Sequence, residues 1–125
     1  MQTTTTATLT LDNAAQVGQQ VQAAAFHAAD TFFHTRMNGQ DLGACGFAWV
    51  TVYPQHKGNT RDGRAERKIL ERLGMSKDWT GKAWQIWNPS KYAVQNIDTL
   101  EAGADAAAQV LKSWGLTAYS GSRMD

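Results

Sequence analysis

Gly46-Phe47-Ala48-Trp49-Val50-Thr51-Val52-Tyr53 runs directly into Pro54-Gln55-His56-Lys57-Gly58-Asn59-Thr60-Arg61-Asp62-Gly63-Arg64. Aromatic and β-branched side chains favour a pleated, partly buried backbone, so residues 44–53 read as a strand. Its two alternating sets are Phe47, Trp49, Thr51 and Tyr53, and Ala48, Val50 and Val52. Both are apolar enough for a central strand covered on both faces. The residues after it are a glycine-bearing basic loop. A strand that fixes such a loop is one way to hold an anion.

Working outward, Thr60 or Asp62 caps a helix at about 62–73, with Ile69, Leu70 and Leu73 as its apolar stripe and Gly74 as its stop. Residues 75–81 make a turn centred on Asp78-Trp79-Thr80-Gly81. Residues 82–87 and 91–97 read as strands joined at Asn88-Pro89-Ser90, giving a hairpin over 82–97. Asp98 or Thr99 caps a last helix whose stripe is Ala104, Ala107, Ala108, Val110, Leu111 and Trp114, with Gly115 after it. Leu116 to Ser120 is a final short strand. Upstream, Asp12 or Asn13 caps a helix over 13–37 that carries Val17, Val21, Ala24, Ala25, Ala28 and Phe32 and ends at Asn38-Gly39. The Thr-rich residues 1–11 are a loose tail or an edge strand. From residue 44 the order is β-α-β-β-α-β, so the expected fold is α+β, ferredoxin-like, with an extra helix in front.

The 125 residues suit a single domain, 1–125, with one hydrophobic core. An apolar content of 42% with 18% charged residues excludes a disordered class. No apolar run approaches the roughly 20 residues of a membrane span. The first residues lack the basic and apolar regions of a signal peptide. The single cysteine, Cys45, allows no intrachain disulfide, and the expected location is the cytoplasm. The net charge of +1 is segregated. Residues 56–91 carry nine basic residues (Lys57, Arg61, Arg64, Arg67, Lys68, Arg72, Lys77, Lys82, Lys91) against four acidic ones, a net of +5; the remainder has three against seven, a net of −4. Such segregation points to one face that meets an anion.

Lys57, Asn59, Thr60, Arg61 and Arg64 stand at a helix start, where free N–H groups and side-chain donors welcome phosphate or carboxylate. The spacing is not that of a Walker loop. Trp87, at a turn, and Trp79 are candidates to stack on a base or sugar, with Asn88, Gln95 and Asn96 beside Trp87 to meet its polar edge. Arg123, in a polar C-terminal stretch, is a candidate to close over the ligand. Cys45 to Val52 also comes close to the core pattern of the RNA-recognition motif, but Cys45 stands where that pattern has a basic residue, and the stretch lies on the first strand of the unit rather than the third. Cys45 has no adjacent base or oxyanion donor, which argues against a thiol nucleophile. His27 and His34 lie seven apart on one helix face with no completing carboxylate, so no metal site and no cofactor are implied.

Several segments together resemble a family of small tailed-bacteriophage proteins of unassigned function: Gly46-Phe47-Ala48-Trp49-Val50, Lys57-Gly58-Asn59-Thr60, Asp78-Trp79-Thr80-Gly81-Lys82, Trp87-Asn88-Pro89-Ser90, Gln95-Asn96-Ile97-Asp98 with Glu101-Ala102-Gly103-Ala104, and Tyr119 to Asp125. The resemblance covers about residues 43–125. It implies a phage accessory protein in a bacterial cytoplasm, with counter-defence sequestration of a nucleotide signal as one role. The leading expectation is a non-enzymatic protein binding a phosphate-bearing small molecule. A nucleic-acid binder using the basic 56–91 face and a module inhibiting a host protein are the alternatives. A homodimer packed through the first helix is expected, because its wide Ala, Val and Phe stripe exceeds what one small domain covers.

Overall fold

The computed structural model describes residues 8–125, and in it Gly46–Val52 forms an interior strand, β1. Before it comes α1 (Ala14–Thr35). After it follow α2 (Arg61–Arg72), β2 (Ser76–Lys77), β3 (Trp84–Trp87), α3 (Ile97–Ser113) and β4 (Ala118–Met124). The strands form one antiparallel sheet of order β2-β3-β1-β4. The order from β1 onward is the β-α-β-β-α-β expected from the sequence, with β3 inserted between β1 and β2. Of the tail or edge strand expected at 1–11, residues 1–7 lie outside the described residues, and 8–10 are irregular.

The hairpin sits elsewhere than the sequence reading placed it. It spans β2 and β3, turning at Asp78-Trp79-Thr80-Gly81, and 91–97 is not a strand. Asp78 Oδ1 accepts from Thr80 Oγ1 (2.7 Å) and from the backbone N–H of Thr80 (3.1 Å) and Ala83 (3.4 Å). Gly81 takes φ +75°, which glycine adopts without a Cβ penalty. The amides of 95 and 96 are already used: Asp41 accepts from the N–H of Gln95 and of Asn96, each at 2.9 Å, and from Asn96 Nδ2 at 2.8 Å. The hydrogen bond from the Asn96 side chain, joined by the Gln95 amide, holds the Asp41 carboxyl below its ordinary pKa. Asn96, rather than Asp98 or Thr99, then caps α3, its Oδ1 accepting from Thr99 N–H at 2.8 Å. Only one bridge, Cys45 to Asn96, remains of the expected strand.

Helices cover one face of the sheet. Ala48, Val50 and Val52 of β1, Trp84 of β3 and Ala118 of β4 point into it and are buried. Leu70, Leu73, Leu111, Ala107 and the α1 residues Val17 and Val21 join Val50, Val52, Trp84 and Ala118 in the main core, and Ala48 packs in a smaller cluster with Leu100 and Ala104. Where α3 meets α1 the backbones come close: a Cβ on Gly103 would lie 3.2 Å from the Ala25 carbonyl oxygen and 2.7 Å from Ser90 Cβ. The buried α1 stripe is Ala14, Val17, Val21, Ala25 and Ala29. The Ala and Val part of the stripe is thus covered within the protomer, while Phe26 of the same helix stays 46% exposed. β4 runs to Met124 rather than stopping at Ser120, pairing with β1 from Gly46 to Val52.

Candidate functional site

Among the described residues no helix lies on the opposite face of the sheet. Period-two alternation places Phe47, Trp49 and Thr51 of β1 on it, opposite Arg123, Gly121 and Tyr119 of β4; Trp49 and Thr51 also face Trp87 and Gln85 of β3. The expectation that β1 is covered on both faces is corrected here, since α1, α2 and α3 all pack on the Val50 side. Phe47, Trp87 and Tyr119 keep 41%, 51% and 55% of their surface in water, and Tyr53, just past the end of β1, keeps 50%. These are large apolar rings that folding left exposed on one surface, an arrangement that marks interaction sites.

The rings fall into two groups. At one end Trp87 lies 4.8 Å from Trp49 and 6.1 Å from Phe47, centroid to centroid. The Arg123 guanidinium sits 5.6 Å from the Phe47 ring. At the other end Tyr53 and Tyr119 meet edge to face at 6.0 Å, and Lys112 Nζ is 5.8 Å from the Tyr119 ring. Each group thus has a cation over an aromatic ring. Between them Gln85 accepts from Trp87 Nε1 at 3.2 Å and donates to Thr51 Oγ1 at 3.4 Å. Trp49 is half-buried because it leans over Gly121, where a Cβ would come within 2.6 Å of the indole nitrogen. None of these face residues of β1, β3 and β4 is acidic.

The first group opens onto a cleft of about 320 Å³ lined by Phe47, Trp87, Asn88, Val94, Gln95 and Leu100, with Cys45 and Asp125 at its rim. The size suits a small ring system. The structure therefore brings Trp87, Asn88 and Gln95 together, as the sequence reading grouped them, with Arg123 on the adjoining face. Asn88 is engaged at both ends of its amide, its Oδ1 accepting from Ser90 Oγ at 3.0 Å and its Nδ2 donating to the Tyr92 carbonyl at 3.4 Å, which leaves one N–H and one lone pair for a ligand. Asn96 is buried and committed to capping, so it does not reach the cleft.

The basic loop lies at the other end of the sheet. Phe47 and Tyr53 are six residues apart along an extended chain, about 20 Å, and the loop begins beyond Tyr53. Much of its donor capacity is spent internally. Thr60 Oγ1 accepts from Gly63 N–H at 3.0 Å and donates to the Lys57 carbonyl at 2.7 Å. Arg64 donates to the Asn59 carbonyl at 3.1 Å. Glu66 places its carboxylate on the N–H groups of Gln55 (2.8 Å) and His56 (3.0 Å), a position an incoming anion would want. Lys57 and Arg61 remain exposed. A larger cleft nearby, about 540 Å³, is lined by Leu9, Ile69, Trp114 and Leu116 with the carboxylates of Asp62 and Glu66 beside Lys112, a charge balance that does not favour phosphate. Trp79 stands at the hairpin tip, beyond the Val52–Trp84 pair and thus at this same end, 94% exposed.

Phe47, Tyr53, Tyr119, Gln85 and Lys112 were missed by sequence reasoning. Alternation in Tyr119-Ser120-Gly121-Ser122-Arg123 was the available signal: the outward positions are aromatic, glycine and cation, whereas Ser120 and Ser122 turn to Asp105 and Glu101 of α3. Among the described residues no group of three metal-ligating side chains comes together, and no helix is long and apolar enough to cross a membrane. The chain matches no family model, no curated protein and no solved structure.

Proposed function

We propose that this chain is a non-enzymatic binding protein whose open sheet face takes a ligand carrying both a planar base and phosphate, a molecule of the nucleotide class. The observation that supports it most is the half-exposed Trp87 at the mouth of a cleft, beside Phe47 and its Arg123. The ring offers a stacking surface, the cleft offers side-chain amides to a base edge, and the guanidinium suits a phosphate oxygen. This reading moves the primary contact from Lys57, Asn59, Thr60, Arg61 and Arg64 to the sheet, because Thr60 and Arg64 are engaged within the loop and the Glu66 carboxylate already holds the Gln55 and His56 amides. In the phage setting implied by the resemblance, such a protein would act by holding a nucleotide signal rather than by turning it over.

The test is titration with purine and pyrimidine mononucleotides, followed by tryptophan fluorescence and calorimetry. Trp87→Ala and Arg123→Ala are each expected to weaken binding about tenfold or more, with the ligand recovered unaltered. Equal binding by wild type and both variants would remove the sheet face from consideration, and conversion of the ligand would remove the non-enzymatic reading.

A further inference from the structure

Resting on the stacking reading above, we infer that the occupant of the open face is a single-stranded nucleic acid rather than an isolated nucleotide. The argument is one of spacing. Phe47, Trp49 and Trp87 with Arg123 make one station, and Tyr53 and Tyr119 with Lys112 make another. Tyr119 and Arg123 are four residues apart on one strand, about 13 Å. One base cannot touch both stations, and one phosphate cannot meet both cations. A flexible chain that repeats base and phosphate can. It must be single-stranded, because paired bases do not present their faces to a protein ring.

Beyond the second station the cations Lys57, Arg61, Arg64, Lys77 and Lys82 outnumber the carboxylates Asp62, Glu66 and Asp78. Beyond Tyr53 lie Lys57 and Arg61, and the hairpin that carries Trp79 also carries Lys77 and Lys82. A polymer leaving the second station therefore runs into the basic segment, which a small ligand in the cleft would never reach. A second copy of this chain fits less well. Face-to-face self-association would crowd Arg123 and Lys112 of two copies into one interface with only Asp125 at the cleft rim to offset them, so cations would outnumber the carboxylates of the face, and burying unpaired cations is costly.

The experiment measures binding of fluorescently labelled oligouridylate and oligothymidylate, as dinucleotide, tetranucleotide and octanucleotide, with the mononucleotides as competitors, at low and physiological salt. Affinity is expected to rise at least tenfold from dinucleotide to octanucleotide, and to fall steeply with salt for the longer probe as counterions are displaced. Tyr119→Ala, and separately Arg61→Glu with Arg64→Glu, should weaken the octanucleotide about tenfold while leaving mononucleotide affinity within about twofold. Lys112→Ala is the alternative should either variant lose its native circular dichroism. The tighter of the two sugar series identifies RNA or DNA as the source. Mononucleotides binding as tightly as octanucleotides would overturn the polymer while leaving the nucleotide reading standing. Absence of binding by every probe would overturn both. A dimer by light scattering that Trp87→Ala converts to monomer would assign the face to a second copy and overturn the inference.

Discussion

The two faces of β1 differ in side-chain size more than in hydrophobicity. Toward the helices stand Ala48, Val50 and Val52; on the helix-free face stand Phe47, exposed, Trp49, half-buried, and Thr51, buried beneath its neighbours' side chains. Small and β-branched residues let α3 approach the sheet closely, and the same economy recurs on α3 in Gly103, Ala104, Ala107 and Ala108. The large rings lie where no layer limits them. An apolar residue on a strand is thus no sure guide to the core in this chain.

The widest gap between the faces should appear in stability. Leu111, fully buried beneath the sheet, contributes to the core through Leu111→Ala at about 2–5 kcal/mol, measured by denaturant unfolding. Trp49→Ala should cost less, about 1–3 kcal/mol, because one side of the indole is already in water. A Trp49→Ala loss matching that of Leu111→Ala would mean that the open face is covered after all. Smaller still is the expected effect of Arg61→Glu with Arg64→Glu on folding, within about 0.5 kcal/mol, since both side chains lie at the surface. A large destabilisation there would show that the basic loop is a structural element of the core side.

The smallest effects are those of pH. Asp41 has a depressed folded-state pKa, so its contribution to stability is present above the unfolded carboxylate value and is lost as pH falls through the lower folded one, below about pH 4. Asp78 shifts in the same direction, through the Thr80 hydroxyl first, and should loosen the hairpin tip in the same window. Tyr92 runs oppositely. Its hydroxyl donates to Asp30 at 2.6 Å, which raises its pKa, so that contribution holds below about pH 10 and is lost as pH rises through the folded value. Thermal melts across pH should show a shallower acid limb for Asp41→Asn; an unchanged limb would mean that the clamp on Gln95 and Asn96 adds nothing.

Much of the fold was legible because strand β1, the three helices and their glycine stops are written in strong local signals. Gly74 and Gly115 follow α2 and α3 with φ of +98° and +89°, as a left-handed stop requires. The hairpin was misplaced because β2 is only Ser76-Lys77, too short and too polar to show alternation. Residues 91–97 looked like a strand because Tyr92, Val94 and Ile97 are apolar, yet their backbone is governed by Asp41, some 50 positions away. The candidate site was half legible. Trp87, Asn88 and Arg123 were found by residue type. Phe47, Tyr53 and Tyr119 were not, since nothing in a strand's own sequence says which face its neighbours will leave bare.

The hairpin tip has a consequence for recognition kinetics and entropy. Asp78 holds the turn around Trp79 with two bonds to backbone N–H groups and one to the Thr80 hydroxyl, while the indole itself touches little but water. The main-chain ordering cost at this position, about 1–2 kcal/mol for each residue fixed, was met during folding. A partner that captures Trp79 has only two side-chain torsions left to freeze. The indole is almost wholly in solvent on a turn whose backbone is already set, so first contact at this tip need not wait for a loop to find its shape.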